Sequence, residues 1–328
     1  KATMYYFINQ HQLFAEMYKL SFGVFRVKMI PTSVVKHFVQ VSELNVAHMK
    51  PVLDLSSLLL IHELQLKYGL ELPCKMIIPR CLQVAVYDAS VREKNSIPSF
   101  ISDQVTQLLT IVSDNDQEPP LLSKLNMLLK WIDDYCEVIS DDSILNDDID
   151  KLPNDMSVLY MQSVKLANQP DRLLITEDWT ATQINFKAYP AMSAVNWLSV
   201  VGVGDEKKLN MLLSKMNYLG CSLDANYIFE QYVAKKSNKP NNFATCIENI
   251  EYNPYNATAA FSAGNLMLSG ITTAADHMVV VSMFASVFKN LDYQQSVNIL
   301  NMAMRMYRNS KYQQCLMRGF KDAHPIIM

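Results

Sequence analysis

Glycine is scarce in this chain: there are 8 glycines in 328 residues, about a third of the usual share of roughly 7%. Glycine provides the positive φ angles of tight hairpins and the close backbone approach of phosphate-binding loops. Its scarcity therefore disfavours an all-β fold and enzymes that hold a nucleotide in a glycine-rich loop. The 19 methionines favour helix packing and adaptable apolar surfaces. A helix-rich chain is the first expectation.

Charge and hydropathy exclude several classes of protein. Half of the residues are apolar and 19% are charged, which excludes a disordered chain and allows one large domain or two or three smaller ones. The net charge of −3 provides no global field that recruits nucleic acid, so an RNA contact needs a local patch. The segment from Trp131 to Asp155 holds nine acids and one lysine, whereas the segment from Lys289 onward holds six Lys or Arg and two Asp. Both are typical of solvated surface, and the basic segment is also a candidate contact for RNA or for the acidic segment.

The six cysteines are scattered, without a Cys-x-x-Cys pair or a spacing typical of zinc sites, which is typical of reduced thiols. The longest apolar runs, such as Met278–Val287, are too short to span a bilayer. We therefore expect an intracellular, cytoplasmic protein without a membrane contact. Because the sequence begins at Lys1 rather than at Met, we also expect a fragment or a processed product.

Residues 51–200 alternate short apolar runs with helical patterns. The runs around Leu53, Ile77 and Leu174 have the length and composition of buried strands, and this alternation predicts a parallel sheet with helical crossovers. An edge strand is predicted at Ala188–Ala191. The helices predicted here are Leu58–Tyr68, capped by Ser56-Ser57, then Arg80–Glu93, Ser99–Val112, Leu121–Val138, Asp155–Asn168 and Gln183–Lys187, with a helical turn at Val195–Val200.

Helical periodicity dominates the two ends of the chain. Residues 4–48 indicate helices, and no strand pattern is found after Lys207. The helices predicted in the C-terminal part are Lys207–Leu219, Asn226–Lys235, Phe243–Glu251, Ala257–Leu268, Ala275–Lys289 and Tyr293–Arg318. We therefore expect an N-terminal helical segment over 1–50, an α/β domain over 51–204 and an all-α domain over 205–328. The charge-poor helical regions are candidates for binding a protein partner or a second copy of the chain.

Three aspartates lie at sequence positions that a parallel sheet would bring together at one edge. Asp54 interrupts the first apolar strand near its carboxyl end, Asp155 begins a helix, and Asp178 follows the strand Leu173–Thr176. Carboxyl ends of parallel strands form the ligand crevice, and converging carboxylates repel each other unless a cation binds. Oxygen ligands of this type suit Mg²⁺ or Mn²⁺, and the matching chemistry is phosphodiester hydrolysis. Taken singly, Asp155 and Asp178 are equally well explained as helix caps.

Residues 51–200 resemble a PIN domain, the compact α/β fold of metal-dependent ribonucleases found in bacterial toxins and RNA-decay factors. The resemblance lies in the order and spacing of short motifs and covers under half of the chain. The motifs are Val52–Ser56, Ile77–Arg80, Asn154-Asp155 followed by Leu159–Gln162, Leu173–Asp178, and Tyr189–Met192 followed by Asn196–Leu198.

The resemblance implies that Asp54, Asp155 and Asp178 bind Mg²⁺ or Mn²⁺ and carry out catalysis, and that Ser56 and Thr176 are supporting hydroxyls. PIN domains place a glutamate about two turns into the helix after the second strand. This chain has Gln83-Val84-Ala85 there, and the nearest acids are Asp88 and Glu93. Asp88 is therefore added as a candidate metal ligand.

Three hypotheses of different classes remain open. The first is a metal-dependent endoribonuclease that acts on RNA through the aspartate cluster. The second is a degenerate PIN-like domain that serves as a protein- or RNA-binding scaffold, because one acid is missing and basic residues are few in the central region. The third is a purely helical interaction protein, in which the short apolar runs are buried helix turns.

Overall fold

The structure is a computed structural model of the chain, and it describes residues 46–94, 100–102, 109–111, 120–140, 162–177, 191–270 and 272–325. The described residues divide into two compact units, with the boundary between Ala194 and Val195. The N-terminal helices predicted before residue 46 and the short helix predicted at Gln183–Lys187 lie outside the described residues. The three-part division at residues 50 and 204 stays a prediction.

A sheet of five parallel strands lies in the first unit, in the order β5-β2-β1-β6-β7. The register pairs Val52 of the central strand with Ile77 on one side and Leu174 on the other, and all three side chains are buried. A central parallel strand is covered on both faces, so its residues are apolar without alternation. The predicted α/β class is confirmed, and the purely helical hypothesis is wrong. The strands are β1 (Lys50–Leu53), β2 (Met76–Pro79), β5 (Cys136–Ile139), β6 (Arg172–Ile175) and β7 (Ala191–Met192).

Helices connect these strands, as parallel pairing requires. Those with described bounds are α1 (Leu55–Tyr68), α2 (Arg80–Lys94) and α3 (Pro120–Tyr135), and residues 162–167 are also helical. Helix α1 begins three residues before the predicted Leu58. It ends at Gly69, whose φ of 62° is the left-handed conformation that glycine adopts without steric cost. Helix α2 follows β2 directly, so its first turn lies at the carboxyl end of that strand.

The helix predicted over Ser99–Val112 is wrong. This stretch contains two antiparallel strands, β3 (Phe100–Ser102) and β4 (Leu109–Ile111), which form a separate two-stranded sheet. β-Branched residues such as Thr110 and Ile111 lose side-chain freedom in a helix and pack well on a pleated strand, which explains the difference.

The helix predicted over Leu121–Val138 is right for most of its length but wrong at its end. Helix α3 stops at Tyr135, and β5 begins at the next residue and pairs with β2 along its whole length. Val138 and Ile139 are β-branched and partly covered in this edge strand. The helical periodicity of α3 concealed this strand because no glycine or proline separates the two elements.

The described residues of the second unit form helices joined by short connections, which confirms the all-α C-terminal region. The predicted single helix Tyr293–Arg318 is wrong, because it is broken after Met306. Tyr307 has an extended backbone, with φ −126° and ψ 111°, and Asn309 caps the next helix by accepting a hydrogen bond from the backbone N–H of Lys311. The helices are α4 (Ala194–Val200), α5 (Glu206–Lys215), α6 (Ala225–Lys236), α7 (Phe243–Tyr252), α8 (Ala257–Leu268), α9 (Ala274–Phe288), α10 (Tyr293–Met306) and α11 (Ser310–Ala323).

Helices α9 and α11 approach each other closely at Gly319. A Cβ atom at this position would lie 2.8 Å from Phe284 Cβ, 2.9 Å from the carbonyl oxygen of Val281 and 3.0 Å from the backbone nitrogen of Ala285. Two of these three atoms belong to the backbone of α9, so they cannot rotate away. The close contact between the two helices therefore depends on glycine at position 319, which has no side chain.

Buried asparagines hold the segment 218–223, which connects α5 to α6. Asn249 accepts hydrogen bonds at 2.9 Å from the backbone N–H groups of both Gly220 and Cys221. Asn256 donates to the carbonyl of Cys221 at 2.9 Å. Buried backbone groups without a regular partner need such side-chain partners, so the asparagines replace the missing secondary structure. Within the described ranges, no helix is long and apolar enough to cross a lipid bilayer.

Candidate active site

The carboxyl ends of the parallel strands lie along one edge of the sheet. Asp54 directly follows β1, Arg80 follows β2 and Thr176 follows β6. The register pairs Leu53 with Ile175, so Asp54 and Thr176 are neighbours on adjacent strands, which lie about 4.8 Å apart in a sheet. In parallel α/β sheets this edge is where ligands bind.

Asp54 is only 3% exposed and caps α1. Its Oδ1 accepts hydrogen bonds from the backbone N–H of Ser57 and from the hydroxyl of Ser56, both at 2.8 Å. The Asp54 N–H donates to Ser57 Oγ at 3.1 Å, which completes a capping box. The predicted cap at Ser56-Ser57 is wrong, because the residue inferred to lie inside the strand is itself the cap. Capping explains the position of Oδ1 and leaves Oδ2 to be explained.

The Oδ2 atom of Asp54 points to the next strand, where it accepts a short hydrogen bond from the hydroxyl of Thr176. A carboxylate has about four acceptor positions. Oδ1 uses its two positions for the Ser56 hydroxyl and the Ser57 N–H, since the Ser57 hydroxyl lies closer to the carbonyl oxygen of Ile175, at 2.7 Å, whereas Oδ2 uses one position for Thr176. The oxygen with remaining acceptor capacity is therefore Oδ2, at the carboxyl edge of the sheet.

Glu177 also belongs to this site, although sequence reasoning gave it no role. Its backbone N–H donates to Ser56 Oγ at 3.0 Å, and its Oε1 accepts from the backbone N–H of Ala194 at 2.7 Å. Its Oε2 is buried and has no hydrogen-bond partner among the described residues. The sequence feature that could have identified Glu177 as a site residue is its position directly after Thr176, at the end of a buried strand.

Burial and the charge of Asp54 both act on the carboxyl groups of this site. Burial raises the pKa of Asp54, and the hydrogen bonds from Ser57, Thr176 and Ser56 oppose that rise. Burial is also the main cause that raises the pKa of Glu177 to about 8, and the nearby charge of Asp54 raises it further. At neutral pH such a pair holds less than two full negative charges unless a cation neutralises it.

The structure places only some of the other predicted site residues near Asp54. Asp155 and Asp178 lie outside the described residues. Asp88 lies in α2, eight residues after Arg80, and is partly exposed. This spacing puts it about 12 Å along the helix axis from the start of α2. The structure therefore brings Ser56 and Thr176 to Asp54, and shows no hydrogen bond between Asp88 and Asp54.

A positive charge lies at the same edge. Arg80 is exposed, and its Nη1 donates to the hydroxyl of Ser140 at 3.3 Å. Ser140 follows β5 as Arg80 follows β2, so the two residues occupy neighbouring strand ends. Arg80 forms no ion pair with an acid in the part of the chain that the structure describes. Its guanidinium therefore lies at the strand end beside that of Asp54.

The chemistry of the donor set fits a hard divalent cation only in part. Among the described residues, no group of three or more His, Cys, Asp or Glu is arranged to hold a metal ion. Two carboxyl groups, those of Asp54 and Glu177, and the hydroxyls beside them are in place. Oxygen donors are the ligands that Mg²⁺ and Mn²⁺ prefer, and Glu177 Oε2 is a buried acceptor that a cation would satisfy. A complete coordination shell would need further ligands from outside the described ranges.

Comparison with known proteins identifies one family. Residues 52–187 match the model of a family described as "PIN domain associated with the TPR-GreAB-C-PIN system". This match begins within β1 and includes α1, β2 and the strand ends that carry Asp54 and Glu177. No curated protein and no solved structure matches the chain significantly.

Proposed function

Because residues 52–187 constitute a PIN-like domain, we propose that the chain is a metal-dependent ribonuclease that hydrolyses phosphodiester bonds at the carboxyl edge of its sheet. The observation that carries this proposal is the buried carboxyl group of Asp54 together with the enclosed, unpartnered Oε2 of Glu177 at the end of the neighbouring strand. Carboxylate oxygens that are enclosed at neighbouring strand ends cost free energy that a bound cation offsets. A structural role alone explains Asp54 Oδ1, but it leaves the pairing of the two acids unexplained.

Asp54, Asp155 and Asp178 are the proposed ligands of one or two Mg²⁺ or Mn²⁺ ions. Of these, Asp54 lies within the described residues, and its Oδ2 is the oxygen with remaining acceptor capacity. When bound, a divalent cation supplies an activated water and stabilises charge on the phosphate oxygens. Asp88 remains a candidate additional ligand.

Ser56 and Thr176 orient Asp54 in this proposal. The Ser56 hydroxyl donates to Oδ1 and the Thr176 hydroxyl donates to Oδ2, so both oxygens of the carboxylate are held in place. An orienting hydrogen bond fixes the direction of the remaining lone pair, and loss of such partners commonly weakens metal affinity by 10- to 100-fold.

Arg80 is the proposed contact for the RNA backbone. Its exposed guanidinium, on the strand beside that of Asp54, has donors that match a phosphate group. The net charge of −3 provides no general attraction for RNA, so a local cation of this kind is needed to bring the phosphate to the acids.

The test is cleavage of a labelled single-stranded RNA of mixed sequence by the full chain with Mn²⁺ or Mg²⁺. We expect cleavage that EDTA abolishes and that Asp54→Asn reduces at least 100-fold, because asparagine preserves the cap but removes the charge. Glu230→Gln on the exposed side of α6 is the matched control and should cleave like the wild type. Intact RNA after incubation with folded wild-type protein and Mn²⁺ would refute the proposal.

A second candidate function is a PIN-like scaffold that binds protein or RNA without cleaving it. It is favoured by the absence of an acid at Gln83-Val84-Ala85 in α2 and by the capping role of Asp54. The charge-poor helical surfaces would then bind a protein partner or a second copy of the chain. Mn²⁺ raises the melting temperature of a protein with a metal site, so an unchanged melting temperature favours the scaffold.

The cellular location and the domain limits are also proposals. The described structure contains six free cysteines, which fit a reducing compartment, and we propose the cytoplasm. The proposed domain limits are 1–50, 51–204 and 205–328, and the family match over 52–187 lies inside the central one.

A further inference from the structure

Helices α6 to α11 form three consecutive hairpins, and their helices begin at intervals of roughly 34 residues from one hairpin to the next. The second helices of the hairpins, α7, α9 and α11, stack in this order. At the end of α9, Lys289 forms an ion pair with Glu251 of α7 at 2.7 Å. The ring of Phe288 packs edge-on against Phe320 of α11, with the ring centroids 5.5 Å apart. The second unit therefore has the architecture of a helical repeat array, in which each hairpin packs on its neighbours.

Helix α10, the first helix of the third hairpin, has one open face. It buries Ser296, Leu300 and Ala303, and α11 is its main packing partner among the described elements. On the other side, Met302 and Met306 are 43% and 50% exposed. A groove of about 480 Å³ runs along this side, and residues three and four positions apart line it, as on one face of a helix. The residues of this α10 face are Asn298, Asn301, Met302, Arg305 and Met306.

The charge around the α10 face is of one sign. From Tyr293 to Lys321 the chain contains five Lys or Arg residues and no Asp or Glu. None of the five forms an ion pair with a residue inside the described ranges. A surface that is merely solvated usually carries both signs of charge and few large apolar side chains. Exposed methionines beside unpaired cations therefore indicate a surface that binds a partner.

The side chains of the α10 face select the class of partner. The guanidinium of Arg305 matches a carboxylate group, and methionine adapts its shape to varied apolar side chains. Single-stranded RNA is commonly held by aromatic rings on which its bases stack, and none of the described residues that line the groove is aromatic. A second copy of the same face would bring positive charge against positive charge. An acidic protein segment with apolar residues complements both the charge and the methionines.

We propose that the α10 face binds an acidic amphipathic helix of another protein. Its apolar side chains pack on Met302 and Met306, and its carboxylates pair with Arg305. Apolar anchors at helical spacing are the usual way in which such a helix binds along a groove. This inference goes beyond the proposed function, because it holds whether or not the chain cleaves RNA.

The test is selection by the immobilised full chain from a phage-displayed library of random peptides long enough for about four helical turns, followed by fluorescence anisotropy of the enriched peptides. We expect peptides with apolar residues at helical spacing and an excess of Asp and Glu, which bind more weakly as NaCl is raised. Arg305→Glu should raise their Kd about 10-fold or more, and Met302→Ser about fivefold or more. The matched controls are Lys239→Glu and Val233→Ser, exposed changes of the same types in the second unit, which should leave the Kd within about twofold.

Circular dichroism checks that each variant keeps its helices. A selection that yields no acidic amphipathic peptides would overturn the inference, as would enriched peptides that bind wild type and Arg305→Glu equally. Labelled single-stranded RNA of mixed sequence is titrated in parallel with EDTA present. If Arg305→Glu abolished RNA binding and no acidic peptide were selected, the face would be an RNA site instead. A dimer in size-exclusion chromatography that Arg305→Glu dissociates would assign the face to a second copy and also contradict the inference.

Discussion

Glu177 makes the stability of the protein depend on pH in a direction opposite to that of most paired carboxylates. Its pKa rises from 4.5 to about 8 on folding, chiefly through burial. Between these values the folded state holds a proton that the unfolded state has released, so stability falls as pH rises. The loss between pH 5 and pH 8 is on the order of a few kcal/mol in the absence of metal. Glu177→Gln cannot ionise and should lose this dependence.

The measurement is urea unfolding followed by tryptophan fluorescence, with EDTA present, at pH 5, 6, 7 and 8. Wild type and Glu177→Gln should have similar midpoints at pH 5, and the variant should be more stable at pH 8 by about 1–2 M urea. All other titrating groups are shared, so the difference between the two proteins isolates Glu177. Glu230→Gln, an exposed change of the same type, should follow the wild type. Parallel curves for wild type and Glu177→Gln would refute the reasoning.

Three further changes test other features. Gly319→Ala places a Cβ 2.8–3.0 Å from three atoms of α9 and should lower the free energy of unfolding in urea by about 1–3 kcal/mol. The control is Gly270→Ala, where a Cβ has no atom within 4 Å, and it should change that free energy by less than about 0.5 kcal/mol. Equal effects would contradict the close packing. Asn249→Ala unpairs two buried N–H groups and should cost about 3 kcal/mol in the same assay; a loss below about 1 kcal/mol would argue against the anchoring role. Arg80→Ala should weaken RNA binding about tenfold and reduce its salt dependence, as measured by fluorescence anisotropy, with exposed Arg92→Ala as the control; an unchanged Kd would remove Arg80 from the site.

Sequence patterns were sufficient for the strands that carry the site. Short apolar runs bounded by polar residues marked β1, β2 and β6, and an acid at the end of the first run marked Asp54. The role of Asp54 as a cap was not evident from the sequence, because the apolar pattern continues past it to Leu55. In the structure the strand ends at Leu53, which leaves Asp54 in position to accept a hydrogen bond from the N–H of Ser57. The roles of Ser56 and Thr176 in catalysis stay predictions, and the structure shows that both hydroxyls donate to Asp54.

Other features depend on contacts that no local pattern contains. Glu177 is distinctive because Ala194, 17 positions away, occupies one of its oxygens and leaves the other unpaired. The break between α10 and α11 has no glycine or proline to mark it, and Asn309 as a cap was the sole local signal. Strand β5 directly continues a helix and is defined by its pairing with β2.

The double use of Asp54 has an evolutionary consequence. Oδ1 of this side chain caps a helix of the core, and Oδ2 faces the proposed cation. Replacing the carboxyl group by an amide can therefore remove the second role and keep the first. A change of Asp54 to Asn keeps the helix start and removes the charge, whereas a change to a residue without a side-chain acceptor damages both. Descendants of this chain that abandon chemistry but keep the fold should therefore carry Asn, Ser or Thr at position 54, the residues that still cap a helix. An alignment of relatives that showed alanine or valine there in well-folded members would contradict this expectation.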